Sequence, residues 1–210
     1  MADLEFFFDP VCPWAWITSR WFEEVASQRK LSIDWRFICL TMVNKDKDYE
    51  RDFRPGYVAG HGTGQKLLRV AAAVREADGP DAVGPLYTRI GTDFHANGRR
   101  QEIVDRWEAG FPEFLTEIGV SAELAAAAND TRWDKVLEDE TEEALSRVGR
   151  DVGTPIITFC DSGSSFFGPV LSRIPRGEEA VQLFDAIALL AATPGMSELK
   201  RSIRIRPSFD

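Results

Sequence analysis

Apolar and polar positions change rhythm several times along the chain. Residues 4–8, LEFFF, are apolar on both phases, the pattern of a strand covered on two faces. Asp9-Pro10 ends that run. From Pro13 onward, Trp14, Ile17, Trp21 and Val25 recur at helical spacing, and Pro13 suits the first helical position, where its missing N–H costs nothing. In LSIDWRFICL, the residues Leu31, Ile33, Trp35, Phe37 and Cys39 alternate with Ser32, Asp34 and Arg36, which is the period of a strand. The opening reads β-α-β, and a right-handed crossover makes its two strands parallel neighbours. From Lys45 to Asp151 the strand rhythm is absent. Helices are expected at 64–78, 84–96, 101–118, 121–128 and 131–148, punctuated by Gly79-Pro80, Asn97-Gly98, Gly119 and Asn129-Asp130. Strand character returns at Ile156–Cys160 and Ser165–Phe167, joined by Asp161-Ser162-Gly163 as a hairpin. PRGEEAVQLFDAIALLAA then reads as a helix, with Glu178 and Glu179 near its positive end.

This order predicts an α/β protein with a thioredoxin-like core split by an α-helical insertion. Residues 1–44 form the first part of the core, 45–151 the insertion and 152–210 the second part. A length of 210 residues suits one domain carrying such an insertion. The formal net charge of −9 repels phosphate backbones and anionic lipids, so neither nucleic acid nor a membrane is an expected partner. The longest apolar segment, AVQLFDAIALLAATPGM, is broken by Asp185 and Pro194 and is too short to span a bilayer. MADLEFFFDP has no basic region ahead of a long apolar run and reads as an interior strand, not a signal peptide, which makes the cytoplasm the expected location. Three cysteines, Cys12, Cys39 and Cys160, are too sparse for a disulfide framework and fit a reducing compartment; with only His61 and His95 they form no zinc pattern.

Chemistry concentrates at VCPWAW, residues 11–16. A lone cysteine is most often a small buried hydrophobe. Cys12, however, falls where a strand ends and a helix begins. There the unpaired N–H groups and the positive helix end stabilise a thiolate and lower its pKa, giving a nucleophile for thiol–disulfide exchange. Thr154-Pro155 starts the strand after the insertion, where a cis bond would present backbone to a substrate beside the thiol. Cys39 and Cys160 read as core residues on either side of the first strand, roughly 10 Å apart and beyond disulfide reach. GHGTGQK, residues 60–66, lacks phosphate-loop spacing and reads as a loop capped by Thr63. His95 reads as a partly exposed residue at a helix end. Lys200, Arg201, Arg204 and Arg206 read as a solvated basic tail. Trp14, two past the cysteine, is placed at the edge of a substrate groove, where it could stack on an aromatic ligand.

FFFDPVCPWAWITSRW resembles the active-site segment of DsbA-like thioredoxin-fold proteins, and above all the actinobacterial branch that includes the mycothiol-dependent nitroreductases. GPLYTRIGTDFHANG, DVGTPIITF, FFGPVLSRIPRGEEAVQLFDA and the ELKR near the C-terminus extend the likeness over most of the chain. The resemblance implies a thioredoxin fold with a helical insertion, a homodimer, and a Cys-Pro-Trp-Cys site. No cofactor is tightly bound; mycothiol, or glutathione in the same role, serves as thiol co-substrate, acting on a disulfide or nitroaromatic substrate. Carried over by position, Cys12 matches the nucleophile, Pro13 and Trp14 the motif, and Pro155 the cis-proline, with Asn44 and His95 in pocket-lining segments. Ala15 stands where the branch has its second cysteine. Three readings stay open. The protein is a natural monothiol enzyme resolved by an external thiol; or a thiol-binding protein without redox turnover, similar to kappa-class glutathione transferases and chromene-carboxylate isomerases; or a dithiol enzyme in which alanine was placed to trap a mixed disulfide. Alanine is a good helix former in that first turn, so either origin is expected to be structurally silent.

Overall fold

The computed structural model describes residues 2–203 and 205–210. The chain opens with β1 (Leu4–Phe8), α1 (Pro13–Gln28) and β2 (Ile33–Phe37). The helices α2 (Leu40–Val43), α3 (Tyr49–Asp52), α4 (Tyr57–Asp78), α5 (Val83–Gly91), α6 (Arg100–Asp105), α7 (Pro112–Glu117), α8 (Ala122–Ala125) and α9 (Asp134–Val148) follow. β3 (Ile156–Phe159), β4 (Ser164–Phe167) and α10 (Gly177–Ala192) complete the described elements. The strands form one sheet in the order β2-β1-β3-β4. β1 runs parallel to β2, with Phe8 opposite Phe37, and antiparallel to β3, with Phe7 opposite Ile156. β3 and β4 form an antiparallel pair. This is the mixed sheet of a thioredoxin-like fold, with the helical block inserted between β2 and β3.

The alternation of side chains along β1 divides the core in two. Leu4, Phe6 and Phe8 face α1, where Phe6 meets Phe22 and Trp35 edge-on at 5.7 and 5.4 Å, and Phe8 stacks on Tyr87 of α5 at 4.0 Å. Phe7 faces the other way, into a cluster with Ile38, Ala144, Leu145 and Ile156. Burying each such phenylalanine contributes about 1.5–3 kcal/mol. α10 closes the first face: Trp21 Nε1 donates to the Ala180 carbonyl at 2.9 Å, and Phe184 packs against Trp21 and Phe22. α9 covers the second face and seals the edge strand. The Glu140 carboxylate accepts from Phe37 N–H at 2.7 Å, and Thr141 Oγ1 accepts from Cys39 N–H at 2.9 Å.

Four expectations need correction. GHGTGQK is not a loop but lies inside α4, and Thr63 Oγ1 donates to the Ala59 carbonyl within the helix. Its glycines are contact points. A Cβ on Gly62 would meet the Trp107 ring at 2.5 Å, and one on Gly64 would run into the Asp9 carboxylate. Tertiary packing here outweighs the low helix propensity of glycine. The helix expected over 101–118 is broken between α6 and α7, where Gly110 and Phe111 adopt φ of 81° and 44° and Pro112 restarts it. Cys39 lies past the end of β2, as the residue capping α2. Cys39 and Cys160 therefore sit at opposite ends of the sheet as well as two strands apart, farther than the expected separation, because β3 runs antiparallel and Cys160 N–H bonds to the Asp3 carbonyl. In the tail, Lys200, Arg201 and Arg206 are exposed as expected, and Arg204 lies outside the described residues.

Candidate active site

Three backbone segments meet at the C-terminal end of β1. The first is the turn from Asp9 to Cys12, closed by Cys12 N–H to the Asp9 carbonyl at 3.0 Å. Cys12 then caps α1 in an extended conformation, Pro13 takes the first helical position, and Trp16 N–H closes the first turn on the Cys12 carbonyl at 3.0 Å. The second segment is the entry to β3. Thr154 Oγ1 donates to the Phe7 carbonyl at 2.9 Å, and the Thr154 carbonyl accepts from the Cys12 thiol at 3.5 Å. The Thr154–Pro155 bond is cis, and both residues are buried. The third is the helical block, which supplies His95, Arg100 and the glycine face of α4.

Cys12 is 7% exposed. Its surroundings pull in opposite directions. Burial pushes the thiol up, the N–H groups of Ala15 and Trp14 draw it down, the Asp9 carboxyl raises it and the Arg100 guanidinium lowers it. Burial wins, and the thiol is pushed up to about 12. The lowered pKa expected from the helix end is therefore not the resting condition. The two N–H groups are in place, but the closed site is too dry for them to dominate. The thiol rests neutral and donates to Thr154; ionisation requires water or a ligand to enter.

The other predicted residues fall into two groups. Trp14 is half-buried, with its ring packed against the core. Ala15 is wholly buried, so position 15 belongs to the core rather than to the groove, and a change of residue there meets packed neighbours instead of being silent. His95 is buried, not partly exposed. It lies within a π-helical turn (Thr92–Ala96), stacks on Trp16 at 5.7 Å, and Nε2–H donates to the Pro10 carbonyl at 2.9 Å. Burial lowers its pKa to about 4, so it is a neutral brace for the turn. Phe209 of the tail covers its other side, with ring centroids 5.4 Å apart. Asn44 is buried, but its amide donates to the Leu40 carbonyl at 2.7 Å, which closes α2. Among the described residues no hydrogen bond joins it to Cys12.

Two residues were not foreseen. Asp9 is fully buried, and its carboxylate accepts from Val11 N–H at 3.1 Å and Leu40 N–H at 2.9 Å, tying the active turn to α2. Burial raises its pKa to about 7. An acid ending an apolar strand was the available signal. Arg100 reaches the Val11 carbonyl with Nη1 at 3.4 Å and lies over the Phe94 ring at 4.9 Å. Nothing in its local sequence marks it. Among the described residues no group of three His, Cys, Asp or Glu could hold a metal ion, and no helix is long and apolar enough to cross a membrane.

A cysteine at the strand-to-helix turn, with a proline-led strand start against its sulfur, defines a thiol site. A family model described as "Rv2466c-like: Mycothiol-dependent nitroreductase Rv2466c" matches residues 11–201. The chain belongs to the Rv2466c-like family. Cys12, Thr154-Pro155 and α10 all lie within the matched span. Among curated proteins this family member is similar to "Uncharacterized protein Rv2286c" of Mycobacterium tuberculosis, with 30% identity over 205 residues, covering 96% of this chain and 82% of that one. Two solved structures share its fold. Cytosolic disulfide reductase DsbM from Pseudomonas aeruginosa aligns with a TM-score of 0.55 at 16% identity, over 89% of this chain and 98% of that one. A putative protein disulfide isomerase from Nitrosomonas europaea aligns with a TM-score of 0.52 at 12% identity, over 89% and 97%. The Rv2466c-like chain thus has the DsbA-like thioredoxin fold.

Proposed function

We propose that this family member is a monothiol thiol–disulfide oxidoreductase with Cys12 as its nucleophile. The observation that carries the reading is the Cys12 sulfur, held at the first turn of α1 between the Trp14 and Ala15 N–H groups and the Thr154 carbonyl, with alanine where a resolving sulfur would stand. The Cys12 thiolate attacks one sulfur of a disulfide. A bond forms between Cys12 and that sulfur as the substrate's S–S bond breaks, and the departing thiolate takes a proton from solvent. A low-molecular-weight thiol then attacks the substrate sulfur of the mixed disulfide and regenerates Cys12. A second equivalent of thiol completes the two-electron reduction. Mycothiol, named in the family's description, is the proposed thiol, with glutathione in the same role; nitroaromatic compounds are the other substrate class that description supports. Thr154 and Pro155 orient the incoming disulfide, Pro13 and Trp14 form the motif wall, and Ala15 backs that wall from the core. His95 acts by bracing the turn, and Asn44 by fixing α2 at the pocket's edge. A cytoplasmic location, a homodimer and the division at 44 and 151 belong to the same proposal, supported by the resemblance in sequence.

The test is incubation with a small mixed disulfide across a range of pH, followed by mass spectrometry of the intact protein. A Cys12 adduct that external thiol removes is the expected result. An unmodified Cys12 at every pH would sink the proposal. The neutral, buried state of Cys12 favours one other reading, binding of a thiol ligand without turnover. That reading predicts that Cys12→Ser keeps ligand affinity in calorimetry, whereas the oxidoreductase reading predicts that the variant no longer forms the adduct.

A further inference from the structure

The glycines of α4 reveal a second feature of the Cys12 site. Gly60 and Gly64 are one helical turn apart and lie on the same face. A Cβ on Gly60 would come within 3.5 Å of Arg100 Nη2, and one on Gly64 would run into the Asp9 carboxylate. Gly64 therefore lets α4 approach the Asp9 carboxyl, while the Gly60 face lies in ordinary contact with Arg100, and the two side chains flank the Cys12 turn. Asp9 is engaged by two backbone N–H groups. The guanidinium of Arg100 is held by three different elements: the turn, through the Val11 carbonyl next to Cys12; the Phe94 ring; and the Gly60 face. Among the described residues it interacts with the Val11 carbonyl, Tyr57 and Cys12, and it makes no ion pair with a carboxylate. Its neighbour makes the contrast. Arg99 is surrounded by Asp93 at 3.4 Å, Glu102 at 3.0 Å and Glu117 at 2.7 Å. In a chain of net charge −9, a cation anchored at the nucleophile's turn and left without a carboxylate has its charge available to the sulfur.

We propose that Arg100 is a positioning residue that supplies the counter-charge for the Cys12 thiolate. This rests on the reading of Cys12 as the nucleophile. When water or a disulfide enters and the thiol loses its proton, the guanidinium beside Val11 faces the new anion and offsets the negative charge of Asp9 on the other side. Cys12 faces Asp9 from the end of β1, Arg100 from α6 and Tyr87 from α5, and Arg100 in turn faces His95 from the π turn and Tyr57 and His61 from α4. Arg100 is the one permanent cation among them. The Trp14 and Ala15 N–H groups aid the thiolate from within α1, and they remain when Arg100 is changed.

The experiment follows alkylation of Cys12 by iodoacetamide, a neutral reagent insensitive to anion attraction, against pH, with mass-spectrometric assignment of the labelled cysteine. Wild type, Arg100→Met and Arg100→Lys are compared after circular dichroism shows equal folded signal. Arg100 works against the burial and the Asp9 carboxyl that raise the thiol, so at a fixed pH below the midpoint Arg100→Met should label about 3-fold more slowly, with Arg100→Lys within about 1.5-fold of wild type. Arg100→Gln repeats the measurement with a smaller neutral side chain if methionine perturbs the fold. Superimposable pH profiles for wild type and the neutral variants, with Cys12 labelled in all, overturn the role of Arg100 and leave the nucleophile reading standing. Absence of Cys12 labelling in wild type at every pH overturns the nucleophile reading, and this proposal with it.

Discussion

At the N-terminal end of β1, Glu5 lies against Arg36 at 2.8 Å and against Arg147, and Glu143 engages both of the same guanidiniums. A cavity of about 620 Å³ opens there, lined in part by Glu5, Asp34, Arg147, Thr158, Cys160 and Ser165, so water reaches the cluster. At the C-terminal end of the same strand, Asp9, Cys12 and His95 are all buried, and none of them makes an ion pair in the described structure. At the first end, pairing near solvent favours the charged forms of three groups: Arg36 and Arg147 are raised and Glu143 is lowered. At the second end, withdrawal from water shifts Cys12, Asp9 and His95 toward their neutral forms, with Cys12 up at about 12, Asp9 up at about 7 and His95 down at about 4. Paired charges are insensitive to small changes in surroundings, whereas isolated buried groups change state when water enters. A strand only five residues long separates a structural end from a reactive one.

The largest expected effect is on turnover. Cys12→Ser should lower disulfide exchange by roughly a thousandfold or more, because a hydroxyl replaces the sulfur at the start of α1 and Cys39, wholly buried at the same end, has no exposed surface to take its place; a thiol-exchange assay with purified protein measures it, and retained activity would place the chemistry elsewhere. Next is packing around the buried acid. Gly64→Ala forces a methyl group against a carboxylate held by two N–H groups and should cost about 3 kcal/mol in urea unfolding, whereas Gly60→Ala, with ordinary contact to Arg100, should stay within about 1 kcal/mol. Equal stability for the two variants would remove the distinction. The third prediction concerns pH. Asp9 has a folded pKa raised from 3.8 to about 7, so its contribution favours folding below pH 4 and is lost as pH rises to 7. His95, lowered from 6.5 to about 4, contributes above pH 6.5 and loses that contribution as pH falls toward 4. The two oppose each other over the same window. Asp9→Asn should therefore make acid unfolding between pH 6.5 and 4 steeper than in wild type; an unchanged slope would show that Asp9 ionises freely. At the other end, Glu5→Gln removes one carboxylate from a partly exposed cluster that retains Glu143, and about 1 kcal/mol is expected, screened by salt. Smallest of all is Cys160→Ser, which should leave exchange activity within twofold of wild type in the same assay; a larger loss would mean that the open end takes part in turnover.

Much of this arrangement is legible before any coordinates. β1 falls at the expected Leu4–Phe8 because its four apolar residues occupy both phases, the mark of a strand covered on two faces. The Cys12 turn is legible because Asp9-Pro10 and Pro13 bracket it with strong local signals. The residues that set its charge are not. Arg100 reaches Val11 across 89 positions, and neither residue's neighbours encode that approach. The glycines of α4 read as a loop because glycine disfavours helix locally, and only the Asp9, Arg100 and Trp107 side chains explain why they are helical. α9 reads as one more helix of the insertion, yet its Ala144 and Leu145 pack on Phe7. Periodicity marks an apolar face without naming what will cover it.

The seal that α9 places on β2 bears on how the protein meets other chains. A sheet edge offers a row of unpaired backbone groups to any extended segment in solution. On the β2 side, two side chains of α9 have already claimed the Phe37 and Cys39 N–H groups, so a fifth strand cannot form the same bonds there without displacing Glu140 and Thr141. Growth of the sheet, whether by a peptide or by a misfolded copy, is directed to β4, at the opposite margin from that seal.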